Sequence, residues 1–239
     1  MVEPSARFEE IKIPLADSVH GLEEVSAVLG IPRWWPTGAR VAVVFAHGAS
    51  GDMSEPALEA LHRELTERRY LSLRFNFPFA EAGKRRPDKM SVLRRTLRNA
   101  IALLARDPTA APAHLFLVGK GLGAQVAADL SISRVRADGL ILMGYPLHPG
   151  SKPDELQAEQ LYRVVAPLLF VQGTRDRCCD VDALKRVLTR VGAPTRLQVV
   201  ENADQNFRVL KKSGRTEEQV NQEILSASDS FIEQVLDGV

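Results

Sequence analysis

Apolar and polar positions follow two different periods along the chain, and each period predicts one kind of element. Continuous apolar runs such as RVAVVFA (40–46) and PLLFVQG (167–173) are typical of strands buried on both faces of a parallel sheet. Between such runs, apolar residues recur at helical spacing, as Leu58, Leu61 and Leu65 do. Strands that alternate with helices predict an α/β fold, with a mostly parallel sheet flanked by helices on both faces.

Turn and capping residues indicate where these elements begin. Two opening strands are predicted near Arg7–Ile13 and Glu23–Leu29, which gives a sheet of about eight strands in total. Ser54 is predicted to cap the first helix, because a serine side chain can accept a hydrogen bond from the first turn. Thr216 and Gln219 have the spacing of a capping box and are predicted to open the last helix.

Size and charge narrow the class of protein. A chain of 239 residues suits one α/β domain over residues 1–239. The net charge of +1, the 6% aromatic content and the lack of a reading motif argue against nucleic-acid binding. No apolar run is long enough to span a membrane. The polar N-terminus and the adjacent Cys178 and Cys179, which seldom pair without strain, predict a cytoplasmic location.

The loops at the carboxyl ends of the strands are the candidate site, because parallel sheets bind their ligands there. Together these loops resemble the α/β-hydrolase superfamily, and more narrowly its dienelactone-hydrolase-like family, which includes a testis-expressed protein and a subunit of a histone-acetyltransferase complex. The resemblance implies an α/β-hydrolase fold from about residue 40 onward. It depends on HGASGDM (47–53), RFNFPF (74–79), GKGLGA (119–124), GYPLHP (144–149), FVQGTRD (170–176) and ADQNF (203–207).

The resemblance implies the positions at which such a hydrolase carries its nucleophile, its acid and its histidine. They fall on Gly121, Asp176 and Gln205. Glycine has no side chain that can attack a carbonyl, and glutamine cannot act as a general base near neutral pH. Because the serine mechanism needs both groups, we expect no ordinary serine-hydrolase activity. A glycine also relieves the backbone strain of a nucleophile turn.

The resemblance further implies an oxyanion hole made of backbone amides, which the loss of a serine hydroxyl leaves in place. The amides would be those of Leu122 and of Gly48 or Ala49, beside the N-terminus of a helix. We expect a small electropositive pocket that binds a carboxylate, an acyl group or another small anion. His47, which we expect to shape the oxyanion loop, and His148 complete the candidate ligand site. No metal and no cofactor is expected.

Two other readings of the candidate site stay open. The motif GKGLGA (119–124) also fits the dinucleotide pattern G-x-G-x-x-[G/A], although three or more strands precede it and no acid ends the next strand. Alternatively, the protein is an ester or thioester hydrolase with a displaced nucleophile, for which Ser50, Cys178 and Cys179 are the candidates. A cysteine in that role needs a depressed thiol pKa.

A third reading is an interaction module that binds a protein partner. Lysine and arginine concentrate at residues 84–98, although a solvated loop and helix face is the more ordinary explanation of such a cluster. Trp34 and Trp35 fit either an exposed anchor for a partner or an internal lid over the sheet. The sequence does not indicate the ligand, the partner or the oligomeric state.

Overall fold

The computed structural model describes residues 6–33, 35, 40–106, 110–133 and 135–238. Within them lies an eight-stranded sheet of order β1-β2-β4-β3-β5-β6-β7-β8. β2 runs antiparallel to both β1 and β4, and all other neighbours are parallel. The strands are β1 (Ala6–Val19), β2 (Leu22–Pro32), β3 (Val41–Ala46), β4 (Leu71–Phe75), β5 (His114–Lys120), β6 (Gly139–Met143), β7 (Leu168–Gly173) and β8 (Thr195–Val200).

Helices cover both faces of this sheet, as the alternating pattern predicts. One apolar core forms under α3, α4 and α5, and a second forms under α1 and α6. No helix in the described residues is both long and apolar enough to cross a membrane. The helices are α1 (Pro56–Glu67), α2 (Pro78–Glu81), α3 (Met90–Leu104), α4 (Leu122–Ser131), α5 (Val181–Leu188) and α6 (Glu217–Leu236), with short 3₁₀ turns at Leu161–Arg163 and Lys211–Ser213.

The central strand β3 shows why a continuous apolar run is needed. All six of its residues are buried. Successive side chains of a strand point to opposite faces, so Val44 belongs to the core under α3 and α4 while Phe45 belongs to the core under α1 and α6. A polar residue at either position would be buried without water, which explains the unbroken apolar pattern.

The predicted start of α6 is confirmed, and the predicted cap of α1 is wrong. Thr216 and Gln219 form the capping box of α6. Ser54 does not cap α1: the helix begins after Glu55, whose side chain makes no capping bond, and Pro56 occupies the first turn. The Ser54 amide donates instead to the Asp52 carboxylate at 2.8 Å, so a tight turn replaces the predicted cap.

The turn from β5 into α4 is packed so closely that two of its glycines have no room for a side chain. A Cβ on Gly119 would lie 2.4 Å from the Gly123 carbonyl oxygen, and a Cβ on Gly123 would lie 2.1 Å from the Ala46 carbonyl oxygen. The central Gly121 is different, because its Cβ would meet only the Gly48 Cα, at 3.8 Å. Packing therefore requires the outer glycines but not the central one.

Gly123→Ala is expected to lower the free energy of unfolding by about 2 kcal/mol or more, which urea denaturation would measure. The added methyl group overlaps backbone atoms that cannot rotate away, and this outweighs the preference of helices for alanine. Gly192→Ala is the matched control, because a Cβ there has nothing within 4 Å. It should change the free energy by less than about 0.5 kcal/mol. Equal stability of the two variants would contradict the close packing.

Candidate functional site

A cavity of about 280 Å³ opens at the carboxyl ends of the parallel strands and brings the predicted positions together. The loops after β3, β5, β6, β7 and β8 all contribute to its wall, as expected for a parallel sheet. Six of the eight predicted site residues line it, namely Gly48, Ala49, Gly121, Leu122, Asp176 and Gln205. The three positions implied by the resemblance therefore face one common space.

Gly121 forms the sharp turn between β5 and α4. Its amide donates to the Met143 carbonyl at 2.9 Å, and its own carbonyl accepts from the Ala124 amide at 3.0 Å. Its φ of 53° lies in the region that favours glycine, so any other residue would be strained there. A glycine at this turn thus relieves strain, as the sequence suggested.

Three backbone amides of the cavity wall find no acceptor among the residues that the structure describes. In the described part of the chain, the N–H groups of Leu122, Gly48 and Ala49 donate to no other residue. Leu122 is the first residue of α4, where an amide has no partner inside the helix. Because backbone donors away from bulk water normally find an acceptor, these amides are suited to a ligand oxygen or to water.

His47 holds the loop after β3 and is not among the residues that line the cavity. Its ring is fully buried; Nδ1 donates to the Gly48 carbonyl at 2.8 Å, and Nε2 accepts from the Phe77 amide at 3.0 Å. Burial lowers the pKa of His47 to about 4, so the ring is neutral at pH 7. With both nitrogens engaged, His47 has no nitrogen available to act as a base.

His148 lies outside the cavity, contrary to its predicted place in the ligand site. Only 5% of the residue is exposed. Its Nδ1 donates to the Pro149 carbonyl at 3.1 Å, and its Nε2 accepts from the Asp180 amide at 3.2 Å. The ring is turned toward the start of α5, where it ties the loop after β6 to the loop after β7, so both nitrogens are engaged.

Asp176 presents a nearly buried carboxylate to the cavity, with 9% of the residue exposed. One oxygen, Oδ1, accepts from the Cys178 amide at 2.8 Å, and Oδ2 accepts from the Gln172 side chain at 2.7 Å. Burial raises the pKa of Asp176, and these two hydrogen bonds oppose that rise. The carboxylate is held in one orientation, whereas the Gln205 side chain is exposed and makes no hydrogen bond among the described residues.

Lys120, immediately before the turn, is a cavity residue that the sequence analysis missed. Its side chain is only 5% exposed. The ammonium group forms an ion pair with Glu55 and donates to the Asn206 side chain at 2.8 Å. The signal was a charged residue at the end of an otherwise buried strand. Because Glu55 balances Lys120 and Asp176 adds a negative charge, these side chains do not make the pocket electropositive, and that expectation depends on the backbone amides and the N-terminus of α4 alone.

Neither cysteine has the activated thiol that a displaced nucleophile requires. Cys178 lines the cavity and Cys179 is buried behind it. Burial, followed by the nearby Asp176 carboxylate, raises the pKa of both thiols. Ser50 lines the cavity as well. No histidine accompanies it in the cavity wall among the described residues.

The topology of the sheet argues against the alternative prediction of a dinucleotide site. The dinucleotide motif opens α4, whereas the first βα unit of the described sheet is β3–α1, so the motif is in the wrong place for a dinucleotide site. Among the described residues, no group of three or more His, Cys, Asp or Glu could hold a metal ion.

Trp35 packs against the core, in keeping with an internal lid, and Trp34 lies outside the described residues.

The basic segment 84–98 is partly neutralised by the fold. Arg94 pairs with Asp129 at 3.0 Å, and Arg95 forms an ion pair with Asp17. The loop residues 84–86 are exposed. A protein partner at this segment stays a prediction.

Comparison with known proteins extends the likeness over almost the whole chain. Residues 39–233 match the family described as alpha/beta hydrolase domain. Dienelactone hydrolase from Anabaena variabilis is 18% identical, with 96% of this chain and 99% of that chain covered and a TM-score of 0.72. A serine hydrolase without a lid from Xanthomonas campestris is 16% identical, with 97% of each chain covered and a TM-score of 0.71. Est1E from Butyrivibrio proteoclasticus, bound to ferulic acid, is 13% identical, with 95% and 99% covered and a TM-score of 0.73.

Gly121→Ser combined with Gln205→His is expected to create ester hydrolysis. A serine Cβ has room, because its nearest neighbour would be the Gly48 Cα at 3.8 Å, and Asp176 already faces the same cavity. Hydrolysis of p-nitrophenyl acetate should rise at least about 100-fold above the unmodified protein, since both reactive groups are needed together. Each single substitution should leave the rate at background.

The control for this experiment is Gly121→Ala combined with Gln205→His, which imposes the same backbone strain of about 1–2 kcal/mol without a hydroxyl group. Adding Asp176→Asn to the active double variant should return most of the gained rate to background, because a histidine then loses its orienting carboxylate. A folded double variant without any gain would show that the positions are not in catalytic geometry.

Proposed function

The chain belongs to the alpha/beta hydrolase domain family, and from that premise we propose a non-catalytic member that binds a small ligand through a carboxylate or acyl oxygen. The observation that carries the proposal is a set of unpaired backbone amides around a cavity whose nucleophile position is Gly121 and whose base position is Gln205. The narrower likeness to the dienelactone-hydrolase-like group with its testis-expressed protein and histone-acetyltransferase subunit is part of the same proposal.

The absence of catalysis is argued from the groups that would have to replace the missing ones. A nucleophile needs a base within hydrogen-bond reach, and both histidines near the cavity use their two nitrogens for other contacts. The thiols of Cys178 and Cys179 have raised pKa values and are therefore protonated at neutral pH. Gly121, Asp176 and Gln205 are accordingly a degenerate triad in this proposal.

Ligand binding is argued from the backbone. The amides of Leu122, Gly48 and Ala49 belong to one cavity wall, and the N-terminus of α4 adds its positive partial charge there. These backbone donors do not depend on a serine hydroxyl or an imidazole, so they remain in place when both groups are missing. A volume of about 280 Å³ suits a molecule of a few to about a dozen heavy atoms.

Leu122→Pro is expected to weaken the binding of carboxylates by at least about 10-fold, because it removes one N–H donor to a charged acceptor. Proline is tolerated at the first position of a helix, where no intrahelical bond is lost. The probes are acetate, butyrate, ferulate and phosphate, measured by isothermal titration calorimetry at pH 7.

Leu122→Ala is the matched control, because it removes the same side chain and keeps the amide. Its affinity should stay within about 3-fold of the unmodified protein, since the lost contacts lie outside the oxyanion donors. The proposal fails if none of the probes binds, or if Leu122→Pro binds them as tightly as Leu122→Ala does.

A hydrolase with a displaced nucleophile is the second candidate, because Ser50 and Cys178 both line the cavity beside the amides. We expect hydrolysis of p-nitrophenyl and thioester substrates to stay at the background rate. Ser50→Ala, Cys178→Ala and Cys179→Ala should each leave that rate unchanged. A measurable rate that one of these substitutions abolishes would establish the second candidate and overturn the first.

A further inference from the structure

The Asp176 carboxylate retains acceptor capacity on the cavity side. Its two oxygens offer about four lone-pair positions, and two donors among the described residues, the Cys178 amide and the Gln172 side chain, fill two of them. Among the described residues, Gln205 donates nothing to this carboxylate. Gly144 has no side chain to cover it, since a Cβ there would lie 3.6 Å from Oδ2. A donor that enters the cavity therefore has access to Asp176.

The charges around the cavity indicate what kind of donor fits. Lys120 is paired with Glu55, so the charges of these two groups cancel. Asp176 forms no ion pair within the described part of the chain. When Asp176 is ionised, the three groups Lys120, Glu55 and Asp176 together carry one net negative charge. A simple carboxylate ligand would add a second negative charge to the same enclosed space, which is unfavourable in a medium of low polarity.

A ligand with two different ends can pair with both the backbone amides and the Asp176 carboxylate. Its carboxylate or acyl oxygen accepts from the amides of Leu122, Gly48 and Ala49, and a protonated amino group donates to Asp176 while balancing its charge. An acid alone leaves the Asp176 carboxylate unbalanced. An amine alone leaves the backbone amides without an acceptor, and that costs free energy wherever water is displaced.

From this juxtaposition we infer that the ligand is an amino acid or a related aminoacyl compound, with Asp176 as the residue that selects the amino group. The inference rests on the proposed function and names the class of ligand for the same cavity. The role it assigns to Asp176 is binding, not the orientation of a catalytic histidine. It also explains why a buried carboxylate is useful in a site without a base.

The test compares four probes with the same carbon skeleton length by isothermal titration calorimetry at pH 7: butyrate, butylamine, 2-aminobutyrate and 4-aminobutyrate. In the unmodified protein, one of the two aminobutyrates should bind at least about 10-fold more tightly than butyrate, because a charge-assisted hydrogen bond is added. Butylamine should bind more weakly than that aminobutyrate. The preferred aminobutyrate indicates how far the backbone amides lie from the Asp176 carboxylate.

Asp176→Asn should reduce the preference for the aminobutyrate over butyrate to within about 3-fold, since the amide cannot balance an ammonium group. Butyrate itself should bind as tightly or more tightly to this variant. Asp182→Asn, an exposed carboxylate on α5 that pairs with Lys185, is the matched control and should keep the full preference. The comparison within the unmodified protein stands by itself if Asp176→Asn does not fold.

The possible outcomes distinguish a failure of the inferred ligand class from a failure of the proposed function. Equal affinities for butyrate and both aminobutyrates in the unmodified protein would overturn the inference and leave the proposed function in place. No binding of any probe would overturn both. An aminobutyrate preference that survives Asp176→Asn would overturn the assignment of the amino group to Asp176.

Discussion

The close backbone packing of the β5–α4 turn is the constraint on which the rest of the site depends. Gly123 lies against the Ala46 carbonyl at the end of β3, and Gly119 lies against α4, in both cases with no space for a side chain. This contact places the first amide of α4 beside the oxyanion loop that follows β3. Because the donors belong to the main chain, their arrangement depends on the fold and not on any reactive side chain.

In the proposed function, the same packing allows binding to be retained without catalysis. Gly121 occupies a turn with φ of 53°, which glycine adopts without strain. A glycine at this position therefore adds no backbone strain to the fold. His47 and the Lys120–Glu55 pair hold the surrounding loops through contacts that reach the start of α2, the start of α1 and the loop after β8. The backbone donors of Leu122, Gly48 and Ala49 are thus held by contacts that do not involve a side chain at Gly121 or Gln205, which is what the proposed function requires.

The sequence predicted the fold because apolar periodicity follows the order of strands and helices. The rule that ligands bind at strand ends predicted the loops of the cavity, and the resemblance to α/β-hydrolases implied Gly121, Asp176 and Gln205 within them. The features that the sequence did not predict concern distant contacts. The pairing of Lys120 with Glu55, the outward turn of His148 toward Asp180, and the raised pKa of the thiols all depend on tertiary neighbours that spacing does not reveal.

The most direct test of the central claim, that backbone amides bind an acidic ligand at a site without a nucleophile, is a titration followed by amide proton resonances. We expect butyrate or an aminobutyrate to move the signals of Leu122, Gly48 and Ala49 downfield in a saturable way, because each proton enters a hydrogen bond with a charged oxygen. Unchanged signals for these three amides, while others shift with the same ligand, would contradict it.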